Sequence, residues 1–260
     1  MSDEPSPGAE PDRGSKTAVT VRTVAATAPF RWLARGAADF RAHPLPSAFY
    51  GACFALMGWL VYETFEYATA YLSALVTGFF LAGPFLATGL YALSRRRERG
   101  EPPWLAPTLD AWRPNVGAIG VFALVLAVIL LVWARASLVV FALFYTSGMP
   151  TVEGFLGQLA GVDNLEFLLA YACVGGFFAT LVFAISVVSV PMMLDRDIDG
   201  VVAVLTSLRA FGANLPAMAL WGAIIVVVIA AGFALVFVGL VVAAPLIGHA
   251  TWHAYRDLVG

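Results

Sequence analysis

The chain is short of charge and of cysteine. Only 12% of its 260 residues are Asp, Glu, Lys or Arg, against about 25% in soluble domains. Its two cysteines, Cys53 and Cys173, lie inside apolar runs, which argues against a disulfide framework and leaves two small side chains at apolar positions. With three histidines, the six ligands of a haem–copper oxidase core cannot be assembled. No phosphate-binding glycine loop, nucleophile elbow or zinc-protease motif is present, so neither a cofactor nor an enzymatic activity is expected. A net charge of −2 gives no reason to expect nucleic acid. The first 28 residues hold no apolar core of the kind a cleavable signal peptide needs.

What the chain has in abundance is apolar residues: 60% hydrophobic, with a mean hydropathy of +0.84. A soluble protein of this size could not cover that surface, so the solvent it implies is a lipid bilayer. A spanning helix needs about 20 mostly apolar residues. The expected spans are Leu45–Tyr62, Ala70–Leu93, Val116 to about Tyr145, Leu168–Leu194, Pro216 to about Gly232, and about Gly239 to Tyr255. The third would be about 45 Å long as one helix, against a hydrocarbon core of about 30 Å. It must tilt, protrude or break, and residues 137–164 either extend it or lie on the far surface. The last two spans come from one run, Leu215–Tyr255, which Gly232 and Gly239 divide.

Charge sorting fixes an orientation. Fourteen of the fifteen basic residues fall on one side under the six-span reading: Arg13, Lys16, Arg22, Arg31, Arg35 and Arg41, then Arg95, Arg96, Arg97, Arg99 and Arg113, then Arg196 and Arg209, and last Arg256. Basic loops stay cytoplasmic, so both termini are expected there. The expected class is all-α, a polytopic transmembrane bundle of about six spanning helices. Residues 1–28 read as a disordered cytoplasmic tail and 29–260 as one transmembrane domain. Arg95, Arg96, Arg97 and Arg99 anchor the topology and suit anionic lipid headgroups, at about 1 kcal/mol per basic residue. Arg135 is the exception, a candidate intramembrane charge that snorkels to the far interface or marks a pathway. Its possible partners are Glu63, Glu66 and Glu166.

Three segments suggest a threefold hairpin repeat, the alternative being short chance matches between interfacial helices. Asp39–His43, Ala111–Asn115 and Ala210–Asn214 each place an aromatic three residues before a His or Asn and precede an odd-numbered span. Each even-numbered span carries a proline, Pro84, Pro191 or Pro245. The expected unit is a short interfacial amphipathic helix followed by a helical hairpin. Small residues four apart, Gly78 with Ala82, Gly83 with Ala87 and Gly175 with Ala179, are expected at close helix contacts.

Few residues carry chemistry. His249, His253 and Arg256 share a helix face, and two imidazoles four apart can hold a metal. His43, at the same membrane face, could join them as a third ligand. The alternative is a polar stripe at the interface. Asp195, Asp197 and Asp199 with Gly200 match the first half of a calcium-binding loop, but Thr206 stands where the bidentate Glu belongs. The alternative is that Asp199 caps the helix that begins near Val201.

Val21–Val24, Pro29–Leu33, Gly83–Phe85 with Tyr91–Arg95, Leu194–Asp197 and His249–Leu258 together resemble a bacterial family of integral membrane proteins, domain of unknown function 2189, over about Val21 to Val259. The resemblance implies a bacterial cytoplasmic membrane and no established activity. Three functions remain open: a non-enzymatic scaffold, lipid-organising or accessory protein, a small transporter or channel component, and a metal- or cofactor-binding accessory protein. The bilayer is the expected partner, and protein partners or self-association are not indicated.

Overall fold

The computed structural model describes residues 19–67, 72–144 and 165–260. Their helices are α1 (Ala28–Ala42), α2 (Pro44–Tyr67), α3 (Leu72–Glu98), α4 (Ala106–Leu109), α5 (Val116–Phe144), α6 (Leu165–Ser186), α7 (Ser189–Asp195), α8 (Gly200–Ala213), α9 (Leu215–Ala234) and α10 (Leu240–Leu258). A single 3-10 turn over Arg113–Asn115 leads into α5. The order follows the three-unit reading: a short helix and then a hairpin, with α1, α4 and α8 as the short members.

The surface of the bundle is apolar, and α8 is turned inside out relative to a helix on a soluble protein. On α8 the buried face is Ala203, Thr206, Ser207 and Ala210, while Val201, Val202, Leu205 and Leu208 face outward. On α5 the outward residues include Val121, Leu124, Val128 and Leu131. Water would reject such a surface and lipid accepts it. Among the described residues four stretches are long and apolar enough to cross a membrane: Pro44–Thr64, Ala106–Phe144, Leu165–Asp195 and Leu215–Ala234. Helices also form at the other two expected spans. These are α3 and α10, whose ends carry Arg95–Arg97 and His249, His253 and Arg256. Residues 137–144 continue α5, so they extend the span. Residues 145–164 lie outside the described residues.

Two expectations change. Residues 19–28, read as part of a disordered tail, are fixed to the bundle. Val21 pairs with Val259, the Arg22 amide donates to the Leu258 carbonyl at 2.8 Å, and the Gly260 amide donates to the Thr20 carbonyl at 2.9 Å. Residues 1–18 are outside the described residues. The glycines expected at close contacts do not make them: a Cβ on Gly78 or Gly83 would meet nothing within 4 Å. The tight approaches lie elsewhere. A Cβ on Gly51 would stand 2.2 Å from the Val241 carbonyl oxygen. That carbonyl is the one left without its helical amide by Pro245, four residues on. The Cα–H of Gly51 faces it and partly replaces the lost bond.

Proline acts more drastically in the second unit. α6 stops at Ser186 and the chain restarts as α7, with Pro191 in the new helix. Broken backbone inside a bilayer must be satisfied by a neighbour. Ser207 of α8 does so from both sides: its hydroxyl accepts from the Val188 amide at 3.2 Å and donates to the Ala184 carbonyl at 2.7 Å. The last hairpin turns where Gly232 and Gly239 touch, a Cβ on Gly239 falling 2.8 Å from the Gly232 Cα.

Gly51→Ala should cost about 1–3 kcal/mol through overpacking, whereas Gly78→Ala should be neutral. Thermal unfolding of the two variants in one detergent checks the contrast. Ser207→Ala strands a buried amide and carbonyl and should cost about 1–3 kcal/mol by the same measurement.

Candidate functional site, a buried polar cluster at the basic end

α10 is the hub, packing on α1, α2, α3 and α9. Its inner face brings His249 and His253 against three other helices. α1 reaches the same point because Ala28, Pro29, Trp32, Gly36 and Asp39 recur at helical spacing and are all buried. Asp39 therefore occupies a core position of an otherwise apolar stripe.

The cluster is a continuous chain of bonds. Ser47 of α2 meets His249 Nε2 at 2.9 Å, and Ser94 of α3 meets His249 Nδ1 at 2.8 Å. The Ser94 hydroxyl donates to Asp39 Oδ2 at 2.6 Å. His253 Nε2 reaches the same oxygen at 2.9 Å, and Arg97 bridges to Asp39 Oδ1. Farther out, His253 Nδ1 lies 3.8 Å from Glu98, and Glu98 lies 3.4 Å from Arg256. Arg256 and the Tyr255 hydroxyl then meet Asp195, at 3.4 and 2.9 Å. The tautomer of His249 follows from counting protons. Ser94 has one hydroxyl proton and gives it to Asp39, so it accepts from His249 Nδ1–H. Nε2 then accepts from Ser47.

Burial alone would raise the Asp39 carboxyl. Hydrogen bonds from His253 and Ser94, aided by the nearby histidine charges, overcome that and hold it below its ordinary value of 3.8. A second carboxylate, Asp257, behaves likewise. Burial raises it, but Arg31 at 2.8 Å, Trp32 Nε1 at 2.9 Å and Arg35 at 3.1 Å hold it down.

The structure brings His249 and His253 into one cluster and leaves His43 without a bond to it. Both His43 ring nitrogens are buried with no hydrogen-bond partner. Among the described residues no three His, Cys, Asp or Glu side chains are grouped to hold a metal ion, and both ring nitrogens of His249 are engaged by serines. Three of the four clustered arginines are engaged within the protein: Arg95 with the Leu194 carbonyl, Arg96 with Glu101 and Arg97 with Asp39. Arg99 is exposed and has no such partner among the described residues. Arg135 is exposed on α5, and Glu166 is exposed at the start of α6. The Glu66 side chain lies outside what is described. Asp199 caps α8, accepting from the Val201 amide at 2.6 Å. Asp195 turns away from it to Tyr255 and Arg256, so the two do not face a common cation position.

Sequence reasoning did not select Asp39, Ser47 or Ser94. The available signal for Asp39 was its place on the Trp32–Gly36 face. Ser47 and Ser94 carry no signal until their helices meet α10.

Asp39→Asn isolates the carboxylate's contribution. A folded-state pKa below the unfolded one means stability that is present above the unfolded value and lost as pH falls through the folded one. The gap in melting temperature between wild type and Asp39→Asn should be constant from pH 7 to about 5 and shrink below about 3.9, the unperturbed Asp value. A gap that widens in acid would contradict the assignment.

No curated protein and no solved structure matches the chain. A family model described as predicted integral membrane protein (DUF2189) matches residues 71–195. That stretch holds Ser94, Arg97 and Asp195 but not Asp39, His249 or His253. The resemblance drawn from Val21 to Val259 is thus matched in its central part, and over residues 71–195 the chain is similar to this family of predicted integral membrane proteins of unknown function.

Proposed function

We propose that the protein is a non-enzymatic scaffold of a bacterial cytoplasmic membrane, with both chain ends on the cytoplasmic side. The observation that carries this is the state of its reactive groups. Ser47, Ser94 and His249 are fully buried, and each is bonded to another member of the cluster. A nucleophile or base needs a free face toward substrate, and these have none. Their bonds instead lock α1, α2, α3 and α10 into a rigid polar plate. The pairing of residues 20–22 with 258–260, together with the sorting of basic residues, supports termini that share the cytoplasmic face.

Ser47→Ala and Ser94→Ala test the reading. Each should cost about 1–3 kcal/mol of stability, and complementation of a gene deletion should follow the amount of folded protein in the membrane. A variant with an unchanged melting temperature and no complementation would overturn the scaffold.

The same bond chain favours one second reading, a proton-linked transporter, because Ser47, His249, Ser94, Asp39 and His253 form an unbroken relay ending near half-exposed Glu98. Proteoliposomes with a trapped pH dye separate the two. The scaffold predicts equal proton leak for wild type and Asp39→Asn. A leak present in wild type and lost in the variant would establish the relay instead.

A further inference from the structure

Between α3, α5 and α6 lies a cavity of about 600 Å³, within the about 300–1,000 Å³ typical of ligand sites. Its wall is apolar nearly throughout, with Phe79, Phe122, Leu126, Phe178 and Val182 prominent. Two features show that it is a shaped space and not loose packing. First, glycine forms part of the wall on two helices. A Cβ on Gly83 would meet nothing within 4 Å, and one on Gly175 would meet only Trp133 Nε1, at 3.9 Å. Second, the wall contains a polar atom without a partner. Tyr91 is 7% exposed and lines the cavity, and among the described residues its hydroxyl makes no hydrogen bond. The other hydroxyls there are satisfied: Ser186 donates to the Val182 carbonyl and Thr251 to the Ile247 carbonyl. A phenol set in an apolar wall is ordinarily hydrogen-bonded, so this one can donate to an acceptor on a cavity occupant.

The dimensions and charge identify that acceptor's carrier. From Tyr91 to Phe79 is twelve residues of α3, about 18 Å at 1.5 Å per residue. One leaflet is half of a core about 30 Å thick, so the cavity is about one leaflet deep. It begins at the basic end: Arg95 stands one turn beyond Tyr91 on the same helix, and Arg99, just past the helix end, is exposed with no side-chain partner among the described residues. We propose that the cavity is a binding site for one anionic glycerophospholipid from the leaflet on the basic side. One acyl chain fills the apolar shaft, its ester carbonyl accepts from the Tyr91 hydroxyl, and the phosphate meets the arginine rim. This assignment rests on the cavity alone and is independent of the scaffold reading.

The full-length protein in nanodiscs of mixed phosphatidylglycerol and phosphatidylethanolamine tests it. Native mass spectrometry after release should show one retained phosphatidylglycerol per chain. Gly83→Leu, which places a side chain in the cavity, should reduce that retention at least about fivefold. Tyr91→Phe should reduce it about two- to tenfold, the equivalent of one hydrogen bond of about 0.5–1.5 kcal/mol. Arg99→Gln should lower the preference for phosphatidylglycerol over phosphatidylethanolamine. A phosphatidylglycerol with a photoreactive group on the acyl chain should label α5 and α6 peptides that line the cavity, and this readout needs no folded variant. No retained lipid in wild type, equal retention by a folded Gly83→Leu, or labelling confined to outward-facing residues such as Val121 and Leu124 would each overturn the site.

Discussion

A carboxylate can leave water only if every oxygen finds a donor. Asp39, 2% exposed, sets that condition for the whole basic end. Its two oxygens draw a serine and an arginine from α3 and a histidine from α10 onto one point of α1. Ser94, so oriented, fixes the tautomer of His249, and His249 in turn holds Ser47 on α2. Four helices are registered against one another by one buried charge. Removing any member leaves the others unpaired in a low-dielectric site, so the cluster behaves as a unit and not as a sum of bonds.

The two halves of the bundle solve the problem of broken backbone differently. In the third unit Pro245 is tolerated because a glycine on α2 can press against the freed Val241 carbonyl. In the second, Pro191 accompanies a full interruption, and the repair comes from a serine on α8. In both cases the compensating group sits in a different repeat unit from the proline. The units are alike in outline but are stapled together at their defects. The positions that correspond between units do comparable work: Asn115 donates to the Met193 and Ile198 carbonyls, and Asn214 accepts from the Val24 amide and donates to the Arg22 carbonyl. His43, the third of the set, has no such bond.

Much of the architecture was legible because lipid imposes simple rules. Apolar run lengths located the helices, Gly232 and Gly239 located the last hairpin, and Asp199 before Gly200 announced a cap. The site was less legible. His249 and His253 stood out by spacing, but their partner Asp39 lies 214 residues from His253, and no local pattern encodes that meeting. Arg97 read as one of a basic cluster, yet it turns inward to a carboxylate that sequence could not place beside it. Gly83 and Gly175 matched a helix-contact motif, but spacing alone cannot tell a glycine that admits a neighbour from one that leaves a hollow.

The bond between Asp39 and His253 also constrains how the molecule comes into being. Chains are synthesised at about 5–20 residues per second. The 214 residues between the two partners therefore amount to about 10–40 s during which Asp39 has been made and His253 has not. Through that interval α1 to α3 carry a carboxylate that can meet Ser94 and Arg97 but still lacks its histidine donor. α10, on which α1, α2, α3 and α9 all pack, follows each of them in the chain, so this part of the bundle closes only once α10 has been made.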